Sequence, residues 1–198
     1  YKRQDNIAML YDRGKINSAL VIAPNGIKRN WRKELSVHMP DHVEYMDAVW
    51  VASPKKKEQI ELMNVCQISD KLQILIMNIE ALSTGRGLDF ARSFVLPGFC
   101  FMVVDESTTI KNHSARRTKN IMKIANLAKY RRIMTGSPVT KSPLDLYSQI
   151  QFLGEWFIEQ SNYYAFRARY AIIQQRSVGS HSFQHVMGYQ RLDELTCI

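Results

Sequence analysis

The chain has 198 residues, enough for one domain with a substantial core. Its 45% hydrophobic content excludes a disordered polymer, and no stretch approaches the roughly 20 apolar residues that a bilayer crossing needs. A net charge of +9, from 27 Lys+Arg against 18 Asp+Glu, suits a polyanionic partner such as nucleic acid.

The chain opens on Tyr1-Lys2-Arg3-Gln4 with no initiating Met and no visible signal peptide, so it reads as a fragment. From Gln4 to Arg13 the pattern is helical, with Ile7, Leu10 and Tyr11 on one face, and Gly14 ends it. Ala19 to Ala23 is a short apolar strand, and Pro24-Asn25-Gly26 is a turn. Ile27, Trp31 and Leu35 then recur every four residues, with Lys28, Arg29, Arg32 and Lys33 on the other faces. That spacing predicts an amphipathic helix with one basic side. Val43 to Tyr45 reads as a short strand. Ser53-Pro54 reads as the start of a helix running to about Val65, with Ser as N-cap and Pro at the first helical position.

Gln73 to Met77 is a buried strand that ends at Asn78, and a helix around Leu88 to Phe94 follows. Phe99 to Val104 is a six-residue apolar run, the signature of a strand buried on both faces. Ser114 is a candidate cap for a helix carrying Ile121, Ile124, Ala125 and Ala128, and Arg131 to Met134 is the next strand. Strands alternating with helices imply a parallel sheet covered on both faces, an α/β fold. The whole chain, 1–198, reads as one domain. Residues 154–198 form a helical and aromatic elaboration whose aromatics are expected to pack as core.

The three cysteines, Cys66, Cys100 and Cys197, are widely spaced and form no Cys-x-x-Cys pair, which argues against a zinc ribbon or a disulfide scaffold. Cys100 belongs to the buried run. His181 and His185 are four apart, but no third ligand accompanies them and Gly179-Ser180 reads as a loop. Lys55 to Lys57, and Arg116, Arg117 and Lys119, are expected to be solvated surface.

The chemistry concentrates at two strand ends. Asp105-Glu106 closes the Phe99–Val104 run, and Thr135-Gly136-Ser137-Pro138 follows Ile133-Met134. In open α/β sheets, ligands bind at the carboxyl ends of the strands. An Asp there can hold Mg²⁺ beside phosphates, and a following Glu can polarise water. The pair points to metal-assisted nucleotide hydrolysis. Such a hydrolase also needs a Gly-x-x-x-x-Gly-Lys-Ser/Thr loop, and this sequence has none. The helical start at Gln4–Arg13 suits a chain that begins just after such a loop.

Four segments together resemble the Swi/Snf-type DNA translocases of helicase superfamily two. They are Ala19–Pro24 with Trp31 and Glu34; Ile74 to Leu82 with Asn78-Ile79-Glu80; Val103–Ser107 with Ile110-Lys111-Asn112; and Arg132–Pro138 with Leu144–Tyr147. Tyr163–Arg167 and Gly188-Tyr189 look like the tail of the first lobe in phage and bacterial members. The resemblance implies a RecA-like parallel sheet, the P-loop NTPase architecture without its P-loop segment, in an ATP-dependent DNA translocase or helicase. It implies that Asp105 binds Mg²⁺ and Glu106 activates water for hydrolysis of ATP. Thr135, Gly136 and Ser137 would relay nucleotide state. Pro24, Asn25, Lys28, Arg29, Asn78 and Glu80 would approach the DNA backbone without sequence preference.

The implied partners are DNA and a second RecA-like lobe that supplies an arginine finger, with no membrane. The implied compartment is the cytoplasm of a bacterial or phage-infected cell, or the nucleus in a eukaryote. Ser107-Thr108 departs from the family, where a small residue and then His are usual. That leaves open how the acid pair communicates with Thr135. The alternatives are a non-catalytic nucleic-acid-binding α/β module and a metal-dependent nuclease.

Overall fold

The computed structural model describes residues 5–67, 69–160, 162–178 and 181–196. Five parallel strands form one sheet: β1 (Ser18–Ala23), β2 (Tyr45–Val49), β3 (Leu72–Asn78), β4 (Cys100–Asp105) and β5 (Tyr130–Met134). Their order is β2-β3-β1-β4-β5. Helices α2 (Lys28–His38), α3 (Lys56–Asn64), α4 (Gly85–Val95) and α5 (Arg116–Ala125) fill the crossovers, with α1 (Asp5–Asp12) before β1 and α6 (Leu146–Leu153) after β5.

The period-2 alternation of a strand splits the core in two. Leu20, Ile22, Leu75, Met77, Met102 and Val104 face α3, α4, α5 and Phe152 of α6. Ala19, Val21, Ile74, Ile76, Phe101 and Val103 face α1 and α2, where Trp31 and Leu35 are buried. Burial on both faces explains why these strands read as unbroken apolar runs. Cys100 sits in this core, and burial pushes its thiol up to about 12. Gly14 ends α1 as expected, with φ +60° in the left-handed region that favours glycine.

Several boundaries differ from the sequence reading. The second strand is Tyr45–Val49 rather than Val43–Tyr45, because β2 is an edge strand that carries a polar Asp47 and lacks a continuous apolar run. Helix α3 starts at Lys56, not at Ser53-Pro54, because the Glu58 carboxylate accepts the Lys55 N–H at 2.8 Å and so caps the later start. Ser114 does not cap α5: its N–H and hydroxyl both donate to Asn112 Oδ1, forming a turn, and the helix begins at Arg116.

Beyond Gly154, α7 (Tyr163–Tyr170) is the expected helix, but the chain then turns to an antiparallel hairpin, β6 (Ala171–Val178) and β7 (His181–Tyr189). The elaboration is therefore not wholly helical. The β-branched pair Ile172-Ile173, followed by exposed polar residues from Gln174 to Ser177, suits a largely solvated strand better than a helix. Tyr147, Phe166 and Tyr170 form a small core there, whereas Trp156 and Tyr164 are exposed, against the expectation that this aromatic stretch is core. His181 and His185 lie on β7 and are exposed. Cys197 falls outside the described residues.

Candidate active site

Sheet register gathers the expected segments at one edge. Ala23 is level with Asn78, Ile22 with Val104, and Asp105 with Met134. Pro24, Asn78, Asp105-Glu106 and Thr135 therefore leave their strands together at the carboxyl edge. This is where such a sheet binds ligands.

Asp105 is the last residue of β4 and is 2% exposed. Alternation puts it on the same face as Phe101 and Val103, toward α2. There the Trp31 indole Nε1–H donates to Asp105 Oδ2 at 2.8 Å, and the Glu106 N–H reaches Asp105 Oδ1 at 3.1 Å. By its spacing Trp31 reads as a core residue of α2, and its bond to Asp105 was not legible. A buried indole N–H needs an acceptor, and that requirement is the signal that could have pointed to Asp105.

Glu106 leaves the strand at φ 52°, ψ 60°, a left-handed conformation for a non-glycine residue. Such a conformation costs on the order of 1–2 kcal/mol and is concentrated at functional sites. It is held by Thr109, whose N–H and hydroxyl donate to the Glu106 carbonyl at 2.9 and 2.8 Å. The exposed Glu106 side chain thereby sits beside a buried, hydrogen-bonded carboxylate.

Thr135 follows β5, next to the acid pair in the sheet. Its hydroxyl oxygen accepts the Ser137 N–H at 3.2 Å, a local turn, while Ser137 donates to the Val139 carbonyl at 3.0 Å. Gly136 and Ser137 are exposed. Ser107, noted in the sequence only as a departure from the family, and Gln149, which the sequence did not single out, join this loop to the acid segment. Ser107, fully buried, donates its hydroxyl to Gln149 Oε1 at 2.5 Å, and Gln149 Nε2 donates to the Pro138 carbonyl at 2.7 Å.

The basic candidates lie farther along the edge. Asn25, Gly26, Lys28, Arg29 and Arg32 line an open hollow at the start of α2. Lys28 donates to the Trp50 carbonyl at 3.1 Å, and burial, then the neighbouring Arg29, lowers its ammonium below the usual lysine range. Arg29 is exposed. Arg32 is already paired: its guanidinium lies 2.7 Å from Asp47 Oδ2 as an ion pair without hydrogen-bond geometry, and it bonds Glu61 at 2.9 Å. Asn78 Nδ2 donates to Glu80 Oε2 at 3.0 Å, so these two are brought together. Among the described residues no group of three or more His, Cys, Asp or Glu side chains gathers that could hold a metal, and nothing supports the nuclease alternative.

The fold agrees with the comparisons. The SNF2-related domain matches residues 6–191. The chain belongs to this SNF2-related family. A SWI2/SNF2 ATPase core from Sulfolobus solfataricus, solved in complex with double-stranded DNA, aligns with a TM-score of 0.61 and 22% identity. That alignment covers 82% of this chain and 30% of that one, and shows a shared RecA-like fold.

Among curated relatives, Protein CHROMATIN REMODELING 20 of Arabidopsis thaliana is 26% identical over 153 residues, 74% of this chain and 10% of that protein. The human TATA-binding protein-associated factor 172 is 24% identical over 177 residues, 89% of this chain and 9% of that protein. A Drosophila melanogaster SWI/SNF-related regulator of chromatin, subfamily A-like protein 1, is 31% identical over 100 residues, 50% of this chain and 12% of that protein. This SNF2-related chain thus spans about a tenth of the length of these relatives. No helix among its described residues is long and apolar enough to cross a membrane.

Proposed function

We propose that this chain is the first ATPase lobe of an ATP-dependent translocase that moves on duplex DNA. The observation that carries the reading is the Asp105-Glu106 pair at the carboxyl edge of the sheet, with Asp105 buried and oriented by two donors and Glu106 held in a strained turn.

Phosphoryl transfer to water needs positioning and charge stabilisation more than covalent chemistry. The Asp105 carboxylate is a hard oxygen donor and fits Mg²⁺, which favours one or two carboxylates together with phosphate oxygens and waters. Bound there, Mg²⁺ would neutralise phosphate charge. Trp31 fixes the direction of the Asp105 carboxylate. Glu106 reaches past the strand end to orient the attacking water and take its proton. Thr135, Gly136 and Ser137 lie one strand away and relay the change to the rest of the lobe. Pro24, Asn25, Lys28, Arg29, Asn78 and Glu80 line the same edge, where the duplex backbone would pass. The likeness to a SWI2/SNF2 core solved with double-stranded DNA supports that partner. A second RecA-like lobe would complete the nucleotide site, and the compartment is one that holds DNA: the nucleus in a eukaryote, the cytoplasm otherwise.

The test is ATP turnover by the complete protein with and without duplex DNA. Duplex should stimulate turnover, and Glu106→Gln should lower it by about 10²–10⁴-fold, the usual contribution of a general base, while ATP still binds. Unchanged turnover in Glu106→Gln overturns the assignment.

A further inference from the structure

The polar face that opens α6 grips two loops at once. Asp145, Ser148 and Gln149 are spaced i, i+3, i+4 and so point the same way. On one side lies the segment after the acid pair, Ser107–Lys111. On the other lies the loop after β5, Thr135–Lys141. Asp145 Oδ2 accepts from the N–H groups of Thr140 and Lys141 at 3.2 and 3.0 Å and from the Thr140 hydroxyl at 2.8 Å. Lys111 Nζ donates to Thr140 Oγ1, and Ser148 Oγ bonds the Lys111 carbonyl at 3.4 Å.

Gln149 is the centre of this arrangement and is fully buried. A primary amide has one carbonyl oxygen and two N–H donors. Its oxygen takes the Ser107 hydroxyl, and its NH₂ serves the Pro138 carbonyl at 2.7 Å and the Asp145 carbonyl at 3.0 Å. Because the NH₂ faces two carbonyls, the amide has only one orientation that satisfies every partner. Ser107 is the neighbour of Glu106, whose left-handed backbone is the strained point of the site. Pro138 closes Thr135-Gly136-Ser137. A single buried amide therefore spans from the water-activating segment to the relay loop.

We propose that Gln149, with Ser107, is a positioning pair that transmits the conformation of the Glu106 turn to the loop at Thr135–Pro138. The proposal rests on the function assigned above. A movement of the Glu106 turn displaces the Ser107 hydroxyl. Gln149 then either follows and pulls Pro138, or leaves a buried hydroxyl without its acceptor. Both loops are thus biased to move together, through a buried hydroxyl and a buried amide.

A purely structural role predicts something different, and a paired substitution separates the two. Gln149→Leu alone leaves the buried Ser107 hydroxyl without its acceptor, so its unfolding midpoint falls. Ser107→Ala with Gln149→Leu replaces that polar contact by an apolar one and removes the unpaired buried hydroxyl, so the midpoint recovers from that of Gln149→Leu alone. The exposed Pro138 carbonyl is then hydrated, and Asp145 and Lys111 still anchor the loop. In this double variant of the complete protein, the ratio of turnover with duplex DNA to turnover without it should fall about tenfold, a typical coupling between two sites. A ratio within twofold of the unmodified protein, in a variant with a recovered midpoint, overturns the coupling role alone. An unmodified protein that shows no duplex stimulation overturns the functional reading and the coupling with it.

Discussion

The Trp31 indole N–H lies 2.8 Å from the Asp105 carboxylate, joining residues 74 apart in the chain. Helix α2 thus does two things: it seals one face of the sheet with Trp31 and Leu35, and it orients the acid that ends β4. Trp31→Phe keeps the ring and removes that donor. Because the acceptor is a buried carboxyl group, the loss should cost about 1–3 kcal/mol. Denaturant titration of Trp31→Phe, Asp105→Asn and the double variant checks it. The two losses should be non-additive, as they are for groups in direct contact. Additive losses would show that the contact carries no energy.

Glu106 makes the opposite prediction for stability. Its left-handed backbone suits glycine, so Glu106→Gly relieves strain, offset in part by the greater freedom of the unfolded glycine. The variant should be more stable by about 0.5–1 kcal/mol while losing ATP turnover in the complete protein. Thermal melts and turnover measured on the same preparation check both halves. A destabilised Glu106→Gly would mean that the side chain holds the turn.

Two arginines of α2 divide by their surroundings. Arg29 is exposed, whereas Arg32 is bound to Glu61 and paired with Asp47. Each phosphate neutralised on duplex contributes about 0.9 to the slope of log affinity against log salt. Arg29→Ala should lower that slope by about one contact. Arg32→Ala should leave the slope unchanged and lower stability, because its charge is committed within the protein. Duplex binding followed across a salt series distinguishes them. Equal slope changes for both would place Arg32 on the DNA as well.

His113 stacks on Tyr163 at 3.6 Å between ring centroids, next to Tyr147 and Tyr164. Burial, then Lys119, holds its imidazole below its ordinary 6.5. The unfolded chain therefore binds this proton first. Its contribution to stability is complete above pH 6.5 and is lost as pH falls through its lowered folded value. Unfolding free energy should decline from pH 7 toward pH 5, and His113→Gln should flatten part of that decline. An identical pH profile in the variant would assign the decline to other groups.

The sequence by itself determined the strands, the α/β class and the residues at the carboxyl edge. Buried strands need continuous apolar runs, and an acid pair directly after such a run stands out against them. Cys100–Val104 with Asp105-Glu106, and Gln73–Met77 ending at Asn78, were legible for that reason, although Phe99, read into the same run, lies before β4 at φ 57° and is half-exposed. Where the apolar signal weakens it failed: edge strand β2 carries Asp47, and the hairpin strands Ala171–Val178 and His181–Tyr189 are largely exposed and carry no regular apolar pattern. What only the tertiary structure decided were the long-range polar contacts. Trp31 reads as core until β4 places Asp105 against it, and Gln149 reads as an ordinary helix residue until Ser107 and Pro138 converge on its amide. Helical and strand periodicity report which face of an element is buried. They do not report which distant donor meets which acceptor there, because that depends on how the elements are stacked.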